Sequence, residues 1–233
     1  NTAYASSGIS GLGNEAVTLT DTSLAADALN TTNTNTTGTV TVQATTVTGT
    51  AGNLVTAYGA QGSGIDGLGN EAVTVSSGSA SVSQVNTLTA ATTGTVTATV
   101  SDGDMSTLAG ISESGNALTI TVTDTSAAAD ALNTLDGKTT VAVSVNSTTI
   151  TGPVSDISSA YASSGISGLG NEAITASGTL TVAQANTLAG LTTGAVTSTI
   201  SNGDMTTLAG LSETGHASTI TVTDTSVVAS TLN

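Results

Sequence analysis

The chain repeats itself. Ser101-Asp-Gly-Asp-Met-Ser-Thr-Leu-Ala-Gly returns as Ser201-Asn-Gly-Asp-Met-Thr-Thr-Leu-Ala-Gly, and Thr119-Ile-Thr-Val-Thr-Asp-Thr-Ser returns from Thr219, both 100 residues on. A further block, Ala-Tyr followed by a loop and Gly-Leu-Gly-Asn-Glu-Ala, occurs three times, spanning Tyr4 to Ala16, Tyr58 to Ala72 and Tyr161 to Ala173. A shorter period runs beneath these. Strand-like alternating runs begin near Ala16, Thr39, Ala72, Thr95, Leu118, Thr140, Ala173, Ala195 and Ser218, at spacings of 23, 33, 23, 23, 22, 33, 22 and 23. The unit is therefore 22–23 residues, and two units carry an insertion of about ten ahead of Gly-Leu-Gly-Asn-Glu-Ala. A fixed period of this length signals a repeat architecture.

Each unit has a plan. An alternating run such as Thr119-Ile-Thr-Val-Thr123 fits a half-buried strand. A polar corner follows, Asp124-Thr125-Ser126, and then a stretch of helical spacing, Ala128, Ala129, Leu132 and Leu135. Thr125 or Ser126 is placed to cap that turn, and Gly137 to close it. Similar turns are expected from Ser23 to Asn30, Ser83 to Leu88, Val154 to Ala162, Val182 to Leu188 and Met205 to Ala209. One unit cannot cover its own apolar face, but stacked units can, each strand pairing with the same strand one turn along. The expected fold is a parallel β-solenoid of 22–23-residue coils, one main strand and one short helical turn per coil. Nine coils at the usual strand spacing of about 4.8 Å make a rod on the order of 40 Å. Tandem β-sandwich modules of about 100 residues are the alternative; the short period inside the long one favours the solenoid. The array is read as continuous over 1–233, an excerpt of a longer repeat protein, with sub-blocks of roughly 1–56, 57–159 and 160–233.

Composition agrees. The 233 residues include no Phe, no Trp and three Tyr, whereas Val, Ile and Thr abound. Thin aliphatic layers suit such a chain better than one thick aromatic core. The net charge is −15, with Lys138 the only basic side chain. Nucleic-acid binding and docking on anionic membranes both need clustered Lys and Arg, so neither is expected. There is no Cys, hence no disulfide frame, thiolate metal site or thiol nucleophile. No apolar run is long enough to span a membrane.

Several motifs bear on chemistry. Asp102-Gly103-Asp104 and Asn202-Gly203-Asp204 are the best metal candidates: Asp102, Asp104, Asn202 and Asp204 offer the oxygens calcium prefers. The same residues are ordinary turn formers. Gly62-Ser-Gly64-Ile-Asp-Gly67 matches the dinucleotide fingerprint by letters but precedes a strand-like run rather than a helix, and reads as loop. His216, the single histidine, aligns with Asn116 one repeat earlier and reads as a surface residue rather than a base. Glu15, Glu71 and Glu172 recur in Gly-Asn-Glu-Ala; they are expected to face solvent or bond the loop backbone rather than to pair as hydrolytic carboxylates. Thr-x-Thr runs such as Thr39-Val-Thr41 fit an outward hydroxyl array of the ice-binding kind. Asn30, Asn35 and Asn146 begin glycosylation sequons.

The phrases Thr-Val-Thr-Asp-Thr-Ser-Ala-Ala-Ala-Asp-Ala-Leu-Asn and Ala-Tyr-Ala-Ser-Ser-Gly-Ile-Ser-Gly-Leu-Gly-Asn-Glu-Ala resemble the repeats of giant bacterial surface proteins. Very large secreted proteins of marine cyanobacteria and adhesins related to the RTX class carry similar repeats. The resemblance spans the whole chain and implies secretion, extracellular display and a role in adhesion, matrix or surface filaments. The calcium-binding nonapeptides of RTX proteins are missing. The expected function is thus a non-enzymatic structural segment at the cell surface, without cofactor unless calcium, joined to copies of the same protein end to end or side by side and exposed to surface glycans. A binding module for ice, carbohydrate or calcium is the second expectation.

Overall fold

A computed structural model describes residues 1–212 and 214–228. It is an α/β fold of parallel sheets and short helices, divided into two compact units. Unit 1 comprises Asn1–Asp102, Ser106–Ile120 and Lys138–Val141; unit 2 comprises Gly103–Met105, Thr121–Gly137 and Ala142–Asn233.

In chain order, the first half runs β1 (Val17–Leu19), β2 (Ser23–Ala25), α1 (Ala26–Asn35), β3 (Val40–Val42), β4 (Thr46–Thr50), α2 (Ala51–Gly59), β5 (Ile65–Asp66), β6 (Ala72–Ser77), α3 (Val82–Ala91), β7 (Val96–Thr99), α4 (Met105–Leu108) and β8 (Ala117–Thr119). The second half runs β9 (Thr121–Val122), β10 (Ser126–Ala128), α5 (Ala129–Asp136), β11 (Val143–Val145), β12 (Thr149–Gly152), α6 (Val154–Ala162), β13 (Ile166–Ser167), β14 (Ala173–Leu180), α7 (Val182–Ala189), β15 (Val196–Ile200), α8 (Met205–Leu208) and β16 (Ala217–Thr219). Unit 1 contains a three-stranded sheet, β1-β3-β5, and a five-stranded sheet, β2-β4-β6-β7-β8. Unit 2 repeats the arrangement with β9-β11-β13 and β10-β12-β14-β15-β16. Every strand pairing is parallel.

Register puts like on like. Leu24 lies beside Val47, Val47 beside Val73, and Val73 beside Val96, all four buried. Ala127, Ile150, Ile174 and Val196 form the corresponding buried file in unit 2. The helices add Leu29, Leu54 and Leu88 in unit 1, and Leu132, Ile157 and Leu188 in unit 2, all fully buried. Burial of each such side chain contributes roughly 1.5–3 kcal/mol, and it is available only when neighbouring strands and helices supply the other wall.

Two expectations need correction. The 33-residue spacings are not insertions. Ala72 pairs with Thr46 of β4 rather than with the run beginning at Thr39, whose Val40 pairs instead with Ile65. Repeats of this type carry two strands, one for each sheet, and the second strands β2, β4, β10 and β12 hold only three to five residues. The expected caps of α5 also fail. Ser126 belongs to β10, extended by its pairing with Thr149, and the N-cap is Ala128 with no side-chain bond. Gly137 does close α5, in a right-handed conformation, its N–H reaching back to Asn133 and Leu135 carbonyls. The Val154–Ala162 helix matches the expected span.

Candidate functional site

Several polar residues that recur between the repeats hydrogen-bond from one repeat to the next. The clearest junction is built around the Gly-Asn-Glu-Ala glutamates. Glu71 is buried; its Oε2 accepts the Tyr58 hydroxyl at 2.8 Å and the Gly69 N–H at 2.9 Å. Glu172 is likewise buried, with Tyr161 at 2.8 Å and Gly170 N–H at 2.9 Å. Glu15 repeats the pattern with Tyr4 at 3.0 Å and Gly13 N–H at 2.9 Å, but is half-buried. The glutamates therefore bond the loop backbone, as one of the two expectations had it, and Glu71 and Glu172 do not face solvent. Burial first, then the bond to the adjacent carboxylate, pushes the Tyr58 and Tyr161 hydroxyls above their ordinary range. The Gly13 N–H holds the Glu15 carboxyl below its ordinary range.

The backbone carbonyl of each glutamate is clasped by a Thr-Thr-Gly turn about twenty residues further along the chain. Thr36, Thr92 and Thr192 donate their hydroxyls to the carbonyls of Glu15, Glu71 and Glu172 at 2.6, 2.7 and 2.6 Å. The following residues, Thr37, Thr93 and Thr193, donate N–H to Gly13, Gly69 and Gly170 carbonyls at 2.8, 2.9 and 2.9 Å. The glycines Gly38, Gly94 and Gly194 then donate N–H back to the first threonine hydroxyl at 3.0, 3.0 and 2.9 Å. A Cβ on any of these glycines would run into the glutamate carbonyl. Thr139 makes a fourth, glycine-free clasp, donating to the Leu118 carbonyl at 2.7 Å, with Thr140 N–H on Asn116. We call this arrangement the threonine clasp. Thr36, Thr92, Thr139 and Thr192 carry no sequence signal of this role, which depends on which carbonyls the fold lays beside them.

Side-chain amides and carboxylates bridge the same boundaries. Asn30, Asn86, Asn133 and Asn186 donate Nδ2 to the carbonyls of Asn53, Gly110, Asp156 and Gly210, at 2.9, 2.7, 3.0 and 2.7 Å. The Asn30 sequon is thus tied to the Asn53 carbonyl, whereas Asn146 is exposed on the corner between β11 and β12. Asn116 and His216 hold equivalent places: Asn116 Oδ1 accepts from Val96 N–H at 2.8 Å, and His216 Nδ1 from Val196 N–H at 3.0 Å. An imidazole that accepts at Nδ1 carries its proton on Nε2. His216 is half-buried, not a bare surface residue.

Of the calcium candidates, Asp102 Oδ2 takes the Val82 N–H at the first residue of α3, at 2.7 Å, and Asn202 Oδ1 takes the Val182 N–H of α7, at 3.0 Å. Each caps a helix of the preceding repeat. Asp204 caps its own helix through Thr207 N–H at 2.8 Å, and that bond keeps its carboxyl below the usual range. Asp104 is exposed and bonded. Among the described residues, no three His, Cys, Asp or Glu side chains gather as a metal-holding group, and no helix is long and apolar enough to cross a membrane. Gly62-Ser-Gly64 lies between helix α2 and strand β5, the reverse of the strand–loop–helix order that a dinucleotide fingerprint needs. Ser147 Oγ is buried with no hydrogen-bond partner, and Ala44 occupies the equivalent corner in unit 1.

No known protein family, no curated protein and no solved structure matches this chain.

Proposed function

We propose that the chain is a non-enzymatic structural segment of an extracellular repeat protein, a parallel β-solenoid whose coils are stacked to bear load in a surface filament, matrix or adhesin. The threonine clasp carries this reading. Its four copies use threonine hydroxyls to join one coil to the next, and buried aliphatic files run beside them. Such nearest-neighbour bonding lets the stability of a solenoid accumulate coil by coil. An acidic, hydroxyl-rich exterior keeps neighbouring segments hydrated and apart. The resemblance to giant bacterial surface repeats supplies the extracellular setting.

Small-angle X-ray scattering on one, two and three covalently linked copies tests the stacking. The longest dimension should grow linearly at constant cross-section; growth as a compact particle would sink the solenoid. Immunogold labelling of intact parent cells tests the setting, and label confined to the cell interior would sink it.

A second reading rests on threonine files. Thr48, Thr74 and Thr97 lie side by side in register, as do Thr151, Thr175 and Thr197, and Thr179, Thr199 and Thr219. None of the nine is buried, and the files repeat at the strand spacing of about 4.8 Å. Such a grid of hydroxyl and methyl groups suits an ordered water lattice. Thermal hysteresis near freezing supports ice binding, and growth of unshaped crystals without hysteresis removes it.

A further inference from the structure

Asn202 is the one asparagine of this chain that is followed by glycine. The fold calls for both members of the pair. A Cβ at Gly203 would run into the Thr223 side chain and the Thr221 carbonyl. The Gly203 carbonyl also accepts the Thr223 N–H at 2.8 Å. Asn202 is held from the other side: its Oδ1 accepts the N–H of Val182, the first residue of α7, at 3.0 Å. At the place 100 residues earlier stands Asp102, whose Oδ2 accepts the N–H of Val82, the first residue of α3, at 2.7 Å. Both helices open on a capping box, Ser81 with Gln84 and Thr181 with Gln184. An amide and a carboxylate therefore fill the same cap in the two copies.

We infer that Asn202 is a self-modification site, converted to aspartate in the folded chain through a succinimide formed with Gly203. The Gly203 backbone nitrogen attacks Asn202 Cγ and gives its proton to water; with no Cβ beside it, that nitrogen is open to the reaction. Negative charge develops on Oδ1, the atom that already faces the Val182 N–H, so the donor stands where the tetrahedral intermediate needs it. The Cγ–Nδ2 bond then breaks, and Nδ2 takes a proton from water and leaves as ammonia. Water opens the ring at Cγ to give aspartate, or at the Asn202 main-chain carbonyl to give isoaspartate. The sum is one water consumed and one ammonia released, with no oxidant or cofactor. The N-terminus of α7 favours the anionic product, because a carboxylate there meets the positive end of the helix dipole. Asp102 on α3 shows the bonding of that product, at the shorter distance of a charge-assisted hydrogen bond. Opening at Cγ keeps the cap, whereas isoaspartate reroutes the main chain through the side chain and loses it. The folded chain should accordingly give chiefly aspartate.

Peptide mapping by mass spectrometry, on chain held at neutral pH with gentle warming, reads the outcome. Asn202 should gain the mass of an amide-to-acid exchange ahead of every other asparagine. Asn202→Asp, made directly, supplies the product standard and separates from the parent on anion exchange by its one extra negative charge. Conversion should be faster in the folded chain than in the chain unfolded in guanidinium, and its share of aspartate over isoaspartate larger. Val182→Pro deletes the donor at the first helical position, where proline is at home, and the extended Thr181 before it (φ −72°, ψ 160°) admits the ring. That variant should convert more slowly, by roughly tenfold or more. If its melting temperature falls, the folded-against-unfolded comparison on the parent chain decides alone. An Asn202 that keeps its amide in the folded chain, or loses it there more slowly than in the unfolded chain, overturns the inference. So does a folded Val182→Pro variant that converts at the parent rate.

Discussion

The hydroxyl of Tyr58 lies 2.8 Å from Oε2 of Glu71, a buried carboxylate whose other donor is the Gly69 backbone N–H. Removing one donor from a buried acceptor leaves desolvation uncompensated, by roughly 1–3 kcal/mol. Tyr58→Phe should lower the urea midpoint accordingly. Tyr4→Phe, beside the half-buried Glu15, should lower it far less. Equal losses at the two sites would show that burial is not what gives the pair its weight.

The same pair sets an alkaline limit. Tyr58 and Tyr161 hold their protons more tightly in the folded chain than in the unfolded one, chiefly because they are buried. Their contribution is therefore complete below the ordinary tyrosine value of about 10 and is lost as pH rises above it. Melting temperature should be level up to about pH 9 and fall beyond. The double variant Tyr58→Phe, Tyr161→Phe should flatten that fall, and an unchanged alkaline slope would contradict the assignment.

Within the threonine clasp, Thr92→Val keeps the shape and deletes the donor to the Glu71 carbonyl, whereas Thr92→Ser keeps the donor. The valine variant should lose about 1–3 kcal/mol and the serine variant clearly less, by chemical denaturation. Gly94→Ala should be worse than ordinary glycine-to-alanine exchange, because its Cβ meets the Glu71 carbonyl.

Ser147 predicts a gain. Its hydroxyl is buried without a partner, and Ala44 fills the same corner in unit 1. Ser147→Ala should stabilise the chain by about 1 kcal/mol, read as a higher urea midpoint. A loss would mean the hydroxyl has a partner.

At Asp102, the carboxylate caps α3 from the next coil, and Asn202 does the same for α7. Asp102→Asn should therefore be nearly neutral and Asp102→Ala should lose about 0.5–2 kcal/mol. Calcium should shift the melting temperature no more than magnesium does. A calcium-specific rise abolished by Asp102→Asn would reassign Asp102-Gly103-Asp104 to metal binding.

The nine strand starts read from alternation all correspond to strands, because alternation over several residues is itself the record of a half-buried surface. The three- to five-residue second strands left no such record: Ser23-Leu24-Ala25 and Ser126-Ala127-Ala128 look like a polar corner running into a helix. They are extended because Thr46 and Thr149 lie beside them, more than twenty residues away. Glu71 shows the same division. Its recurrence marked it, but its burial is set by the surrounding fold, and the identical Gly-Asn-Glu-Ala around Glu15 stays half-open.

By itself the sequence determined the repeat, the parallel alternation that follows from it, the aliphatic rather than aromatic core and the absence of a basic or thiol chemistry, since these are properties of composition and period. Only the tertiary structure decided that each unit divides its strands between two sheets, and that Thr92 and Glu71 or Asp102 and Val82 meet. Those meetings are set by register between parallel strands, and register is fixed by how aliphatic side chains from distant segments fill one layer, which no single repeat encodes.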